Sequence, residues 1–191
     1  MQRIEGGVTA ARGFQAAAVA AGIKKENRKD MAMIFSEVPC VAAGTFTTNL
    51  VKAAPVKWDQ KQVYEKPFAQ AVICNSGIAN ACTGEEGMAC CAMTAEVAAG
   101  ALNIPEDRVL VASTGVIGQQ LPMTAIAEGI RRMAPLLSDT QESGTMAAQA
   151  IMTTDTVKKE IAVAFELDGK KVTVGGMCKG SGMIHPNMCT M

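Results

Sequence analysis

At 191 residues the chain has room for one ordinary domain and too little for two. Hydrophobic residues make up 49% of it and charged residues 19%, enough apolar material to offset the entropy of ordering, which excludes intrinsic disorder. Its 18 basic and 18 acidic residues cancel without forming a run of like charge, and one tryptophan, one tyrosine and five phenylalanines make a poor stacking platform. Nucleic-acid binding is excluded on these grounds, and small neutral or zwitterionic ligands are favoured.

Residues 1–7 carry no basic start followed by a long apolar run, so no secretory signal is read. The small apolar segment 13–23 reads as a strand, too short for a membrane span, and the charged residues 24–30 read as an exposed hairpin. Buried strands are expected at 31–36 and 41–47, with Pro39 marking the break between them. Residues 68–74 form a further strand that should end in the turn cluster Asn75-Ser76-Gly77. Thr83 followed by Glu86 has capping-box spacing and predicts a helix over 84–102, the longest in the chain.

A short β-branched strand at 109–112 delivers Ser113-Thr114-Gly115, after which Pro122 can start a helix running to about Met133. A third helix is expected over 139–152. Asp168-Gly169 between 161–167 and 171–174 is a two-strand hairpin signal, and 175–191 reads as glycine-rich and irregular. The sum is a mixed αβ domain without repeats or linkers, 1–191, whose final residues look as though the sequence once continued.

Seven cysteines (Cys40, Cys74, Cys82, Cys90, Cys91, Cys178 and Cys189) form no Cys-x-x-Cys pair, so zinc ribbons and redox motifs are weak readings and a reducing, cytoplasmic location is expected. No metal site is expected. The single histidine, His185, is better read as a local hydrogen-bond partner than as a catalytic base. Glu85-Glu86 and Glu106-Asp107 read as charges at helix starts. Three glycine-and-hydroxyl clusters follow predicted strands, at 75–84, 112–118 and 175–183. Such turns can aim backbone N–H groups at a common point and make oxyanion holes, or be tight turns and nothing more. None has phosphate-loop or dinucleotide spacing.

An enzyme lacking a histidine base needs another way to activate a nucleophile, and one is a threonine whose own α-amine serves once the preceding peptide bond is cut. The run Lys179-Gly180-Ser181-Gly182-Met183 followed by Cys189-Thr190-Met191 closely resembles the self-cleavage region of the bifunctional glutamate/ornithine N-acetyltransferase family. Gly6-Gly7-Val8-Thr9-Ala10, the 75–84 cluster, Ser113-Thr114-Gly115 and Thr153-Thr154-Asp155-Thr156 look like further family signatures in family order. Cys189 departs from the alanine that the family usually carries there.

The resemblance implies a layered αββα, α/β (α+β) arrangement of N-terminal-nucleophile-like, self-processing type, completed by a β chain from the same precursor. Cleavage is expected between Cys189 and Thr190, with an α2β2 heterotetramer as the product. It implies that Thr190 carries an acetyl group from N-acetylornithine to glutamate, and that Thr114 and Gly115 form the oxyanion hole. It implies too that Thr153 and Lys179 join Thr190 in binding substrate. No cofactor is expected, acetyl-coenzyme A being a co-substrate of some members. The rival reading is a threonine-nucleophile amidase or aminopeptidase of similar architecture; a third is a binding or assembly protein whose glycine loops are only turns.

Overall fold

The computed structural model describes residues 1–25 and 27–180. Cys189, Thr190 and His185 lie outside the described residues. Two sheets carry the fold. One has four strands in the order β2 (Phe14–Val19), β3 (Met31–Cys40), β4 (Ala69–Ile78) and β5 (Val109–Val116); the other has three, β1 (Gln2–Ile4), β6 (Lys159–Leu167) and β7 (Lys170–Cys178). All neighbouring strands are antiparallel except β4 and β5, whose parallel pairing needs the crossover that α2 (Gly84–Leu102) supplies.

Period-two alternation in the four-stranded sheet feeds two separate cores. Ala17, Val19, Met31, Met33, Ile73, Val109 and Val111 face one way, onto Cys90, Cys91, Ala95 and Ala98 of α2 and Ile126, Ile130 and Met133 of α3 (Met123–Met133). The i, i+4, i+7 spacing of that last trio is a helical apolar stripe, and complete burial of such a side chain is worth roughly 1.5–3 kcal/mol. Ala16, Ala18, Ala32 and Cys74 face the other way, onto Ala147 and Ala150 of α4 (Gln141–Ala150), with Met177 of β7 packed at the margin. The result is a layered α+β fold, with α2 and α3 on one face of the four-stranded sheet and α4 on the other.

Several boundaries depart from the sequence reading. β3 runs through Pro39 to Cys40, with the register shifting between Phe35 and Cys40; an irregularity there accommodates a residue that has no N–H for the ladder. No strand forms at 41–47. Asn75, Ser76 and Gly77 belong to β4 rather than to a turn, and β5 extends through Thr114 and Gly115, because parallel pairing continues to Ile78 and Val116. β7 carries the Gly175-Gly176 stretch as regular strand. α4 starts at Gln141, capped by the Thr140 hydroxyl, which accepts a bond from the Ser143 N–H at 3.3 Å.

Thr83 precedes α2 as expected but does not cap it: its hydroxyl donates to Asn80 Oδ1 at 2.7 Å. The 24–30 segment ends not in solvent but at a fully buried Asp30. The sequence reading also missed α1 (Ala54–Glu65), which covers the free edge of β5. Trp58 Nε1 donates to the Val109 carbonyl at 3.1 Å, and Asp59 Oδ1 accepts from the Val111 N–H at 2.9 Å, so an edge open to another strand is closed. Asp168 and Gly169 both take positive φ, as the β6–β7 hairpin required.

Candidate active site

The parallel strands β4 and β5 end side by side, Ser76 opposite Thr114 and Gly77 opposite Gly115. Both glycines have positive φ, +119° and +136°, a region that side chains rarely enter. A Cβ on Gly115 would lie 2.2 Å from the Gly77 carbonyl carbon, so only glycine lets the two backbones meet this closely. These glycines form the floor of a cleft of about 550 Å³ that is also lined by Ile23, Lys24, Lys25, Arg28, Val116, Thr153 and Thr154. Two residues expected from the resemblance, Gly115 and Thr153, thus share one cleft. Thr114 sits half-buried one residue back along β5 and is not among the lining residues.

Lys179 follows the end of β7 and also lies outside that lining. It reaches the site through Asp155, a residue whose role the sequence reading did not single out. The Asp155 side chain is 1% exposed. Its Oδ1 accepts from Lys159 Nζ at 2.9 Å and from the Gly180 N–H, and its Oδ2 accepts from the Thr153 N–H at 3.1 Å, with Lys179 Nζ 3.7 Å away. The Lys159 bond holds this carboxyl well below the usual carboxylate range. Burial opposes it, while the Thr153 and Gly180 N–H groups and the Lys179 charge reinforce it. One carboxylate therefore ties together the two segments that carry Thr153 and Lys179. Its signal was available only as an acid between hydroxyl residues.

The cleft is cationic. Lys25 and Arg28 line it together with Lys24, whose amine is bonded to backbone carbonyls, and the nearby carboxylates of Asp30 and Asp155 are already engaged. Asp30 accepts from the N–H groups of Ala21, Ile23 and Lys24 at 2.7–2.9 Å, which folds residues 20–25 over the strand ends. Such a cleft attracts carboxylate ligands.

Apart from Gly77, the first glycine-and-hydroxyl cluster is scaffold. Asn75 Nδ2 donates to the Ile78 carbonyl at 2.9 Å, its Oδ1 accepts from the Ser113 hydroxyl at 2.6 Å, and buried Asn80 donates to the Gly87 carbonyl at 3.0 Å. This network bends the chain off β4 into α2 and satisfies polar groups in a buried setting. Burial, with the Asp59 charge second, pushes the thiols of both Cys74 and Cys91 up to about 12, away from the reactive thiolate form.

A layered α+β scaffold with a cationic small-ligand cleft at the ends of two parallel strands narrows the class, and comparison with known proteins narrows it further. Residues 15–191 match the ArgJ family, and the chain belongs to that family. The arginine biosynthesis bifunctional protein ArgJ of Thermosynechococcus vestitus is 50% identical over 190 residues, which is 100% of this chain and 45% of the relative. That of Symbiobacterium thermophilum is 54% identical, over 100% of this chain and 47% of the relative.

The chain therefore spans about half the length of these curated relatives. Among solved structures, the arginine biosynthesis bifunctional protein ArgJ of Bacillus halodurans superposes with a TM-score of 0.92 at 46% identity, covering 97% of this chain and 96% of that one. Ornithine acetyltransferase of Mycobacterium tuberculosis, complexed with ornithine, gives 0.89 at 46% identity and 95% coverage of both chains.

Proposed function

We propose that the whole protein transfers an acetyl group from N-acetylornithine to glutamate, as a step of arginine biosynthesis. The observation that carries this reading is the shared cleft, which sets the Gly77–Gly115 floor against Thr153 under a rim of cations in a chain of the ArgJ family. A solved relative bound to ornithine supports the choice of ligand.

In this reading Thr190 first attacks the carbonyl of Cys189, and water opens the resulting ester to free a β chain that begins with Thr190. The new α-amine, with a reference pKa of about 8, is partly neutral near pH 7 and takes the proton of the threonine hydroxyl. The hydroxyl oxygen attacks the acetyl carbonyl of N-acetylornithine. Charge gathering on the carbonyl oxygen is met by the Thr114 hydroxyl and the Gly115 N–H. As the C–N bond breaks, the proton passes to the departing nitrogen and ornithine leaves. The amine of glutamate then takes the acetyl group by the reverse sequence. Thr153 and Lys179 hold the amino-acid ends of the substrates, Lys179 as a mobile point charge whose position Asp155 restrains.

The working enzyme is an α2β2 assembly of both chains in the cytoplasm, with no metal or cofactor; acetyl-coenzyme A is a second acetyl donor to be tested. A product assay separates transfer from hydrolysis. N-acetylornithine and glutamate should yield ornithine and N-acetylglutamate in equal amounts. Release of free acetate in place of N-acetylglutamate would make the protein an amidase.

A further inference from the structure

Lys24 stands where the two walls of the cleft meet. Its stem lies against the strand-end floor: a Cβ on Gly77 would come within 3.3 Å of Lys24 Cγ. Its amine points away from that floor and donates to the carbonyls of Met152 at 2.6 Å, Ala150 at 3.3 Å and Lys29 at 3.3 Å. Met152 immediately precedes Thr153. The backbone of Lys24 is itself pinned, its N–H donating to Asp30 Oδ2 at 2.9 Å, and the Asp30 carbonyl accepts from the Ser76 N–H at 2.8 Å.

A continuous chain of contacts therefore runs from Ser76 on β4 through Asp30 and Lys24 to Met152. A second link, from the Ser76 hydroxyl to the Ala150 carbonyl, fixes the end of α4 but stops short of Thr153. We propose that Lys24 is a positioning residue, a bracket that sets the spacing between the Gly77–Gly115 floor and the Thr153 wall. The inference rests on the transferase reading above and adds to it a residue that acts through Thr153 rather than on substrate.

The residue type suits the task. Three carbonyls converge on one point, and an ammonium group offers three donors in a compact tetrahedral arrangement that a planar guanidinium lacks. One of those carbonyls, that of Ala150, is the last of α4, where a positive charge also offsets the negative end of the helix dipole. Burial, and after it the charge of Arg28, lowers the pKa of this amine, while Asp30 and Asp155 act in the opposite direction.

The test uses the whole enzyme with Lys24→Met, which removes the amine but keeps the stem, and Lys24→Ala, which removes both. Lys24→Met should raise KM for the acetyl donor about tenfold and leave kcat within about threefold, because the floor keeps its packing while the wall is released. Lys24→Ala should lower kcat about tenfold further. Combining Lys24→Met with Thr153→Ala should raise KM no more than Thr153→Ala alone, since Thr153 is already misplaced. Amide exchange should quicken at residues 150–156 in Lys24→Met and stay unchanged at 71–78, which also reports that the variant is folded; Lys24→Gln replaces it if it is not.

Equal losses of kcat in the two variants, KM effects that multiply, or unchanged exchange at 150–156 would each overturn the bracket. The exchange measurement needs no activity. An unmodified enzyme that transfers no acetyl group would sink the functional reading alone, leaving exchange to decide the bracket.

Discussion

Asp155 shows how a single buried carboxylate can tie together two distant segments of the chain. Thr153 and Lys179 are 26 positions apart in sequence, yet one side chain takes the N–H of the first and faces the amine of the second. Its lowered pKa means that the charged form is favoured by folding. The stability it contributes is present above the ordinary carboxylate range and is lost as pH falls below it.

Asp155→Asn should therefore raise KM for the amino-acid substrates by roughly tenfold or more and shrink the difference in melting temperature between pH 7 and pH 3. An unchanged KM would free Asp155 from any part in binding. Thr114→Ala belongs to the same scale with the opposite signature. Loss of one oxyanion donor costs on the order of 3 kcal/mol in the transition state, so kcat should drop about a hundredfold with KM little altered. Steady-state rates with N-acetylornithine would decide it.

At the scale of elements, what was legible depended on whether local pattern or partner strand set the boundary. α2, α3 and the β6–β7 hairpin were readable because their signals are local: helical small-residue runs, a proline before the first turn, an Asp-Gly turn. The ends of β4, β5 and β7 were not, because hydroxyl and glycine residues that look like turns are carried along as strand once a neighbour supplies the ladder. The ends of β4 and β5 line the cleft, so the candidate residues there could be named from family motifs ahead of any geometry. α1 escaped because its work is done by Trp58 and Asp59 on a strand 51 and 52 residues away.

That edge contact carries its own prediction. Burial raises the Asp59 carboxyl from 3.8 to about 7, against the Val111 N–H bond that lowers it. The folded state thus keeps a proton that the unfolded chain releases, and stability falls as pH rises from about 4 to about 7, then levels. Asp59→Asn keeps the acceptor without the charge. It should match the unmodified protein near pH 5 and exceed it at pH 8 by on the order of 2 kcal/mol, about half of what three pKa units represent, since the amide NH2 also needs a partner. Melting curves at the two pH values are the check; equal gains at both would show that the charge of Asp59 is not the cause.

At the scale of the whole molecule, the described residues bring together a floor, a cationic rim and the Thr153 side of the cleft, and the proposed reading requires one further part, the nucleophile. Residues 41–53 form no regular element up to α1 and expose Val41, Leu50 and Val51 at 83%, 100% and 78%. If Thr190 both cuts the chain and carries the acetyl group, its variants must fail in a linked way.

In the full-length precursor, Thr190→Ala should leave a single uncut polypeptide by intact mass and make no N-acetylglutamate. Thr190→Ser keeps a hydroxyl and should do both reactions at reduced rate, because an oxygen nucleophile beside a free α-amine is retained. Cys189→Ala restores the usual family residue and should process normally, since the position before the cut supplies only its carbonyl. Cleavage of the Thr190→Ala precursor before position 190, or N-acetylglutamate made by it, would place the nucleophile elsewhere and remove the chemical basis for transfer.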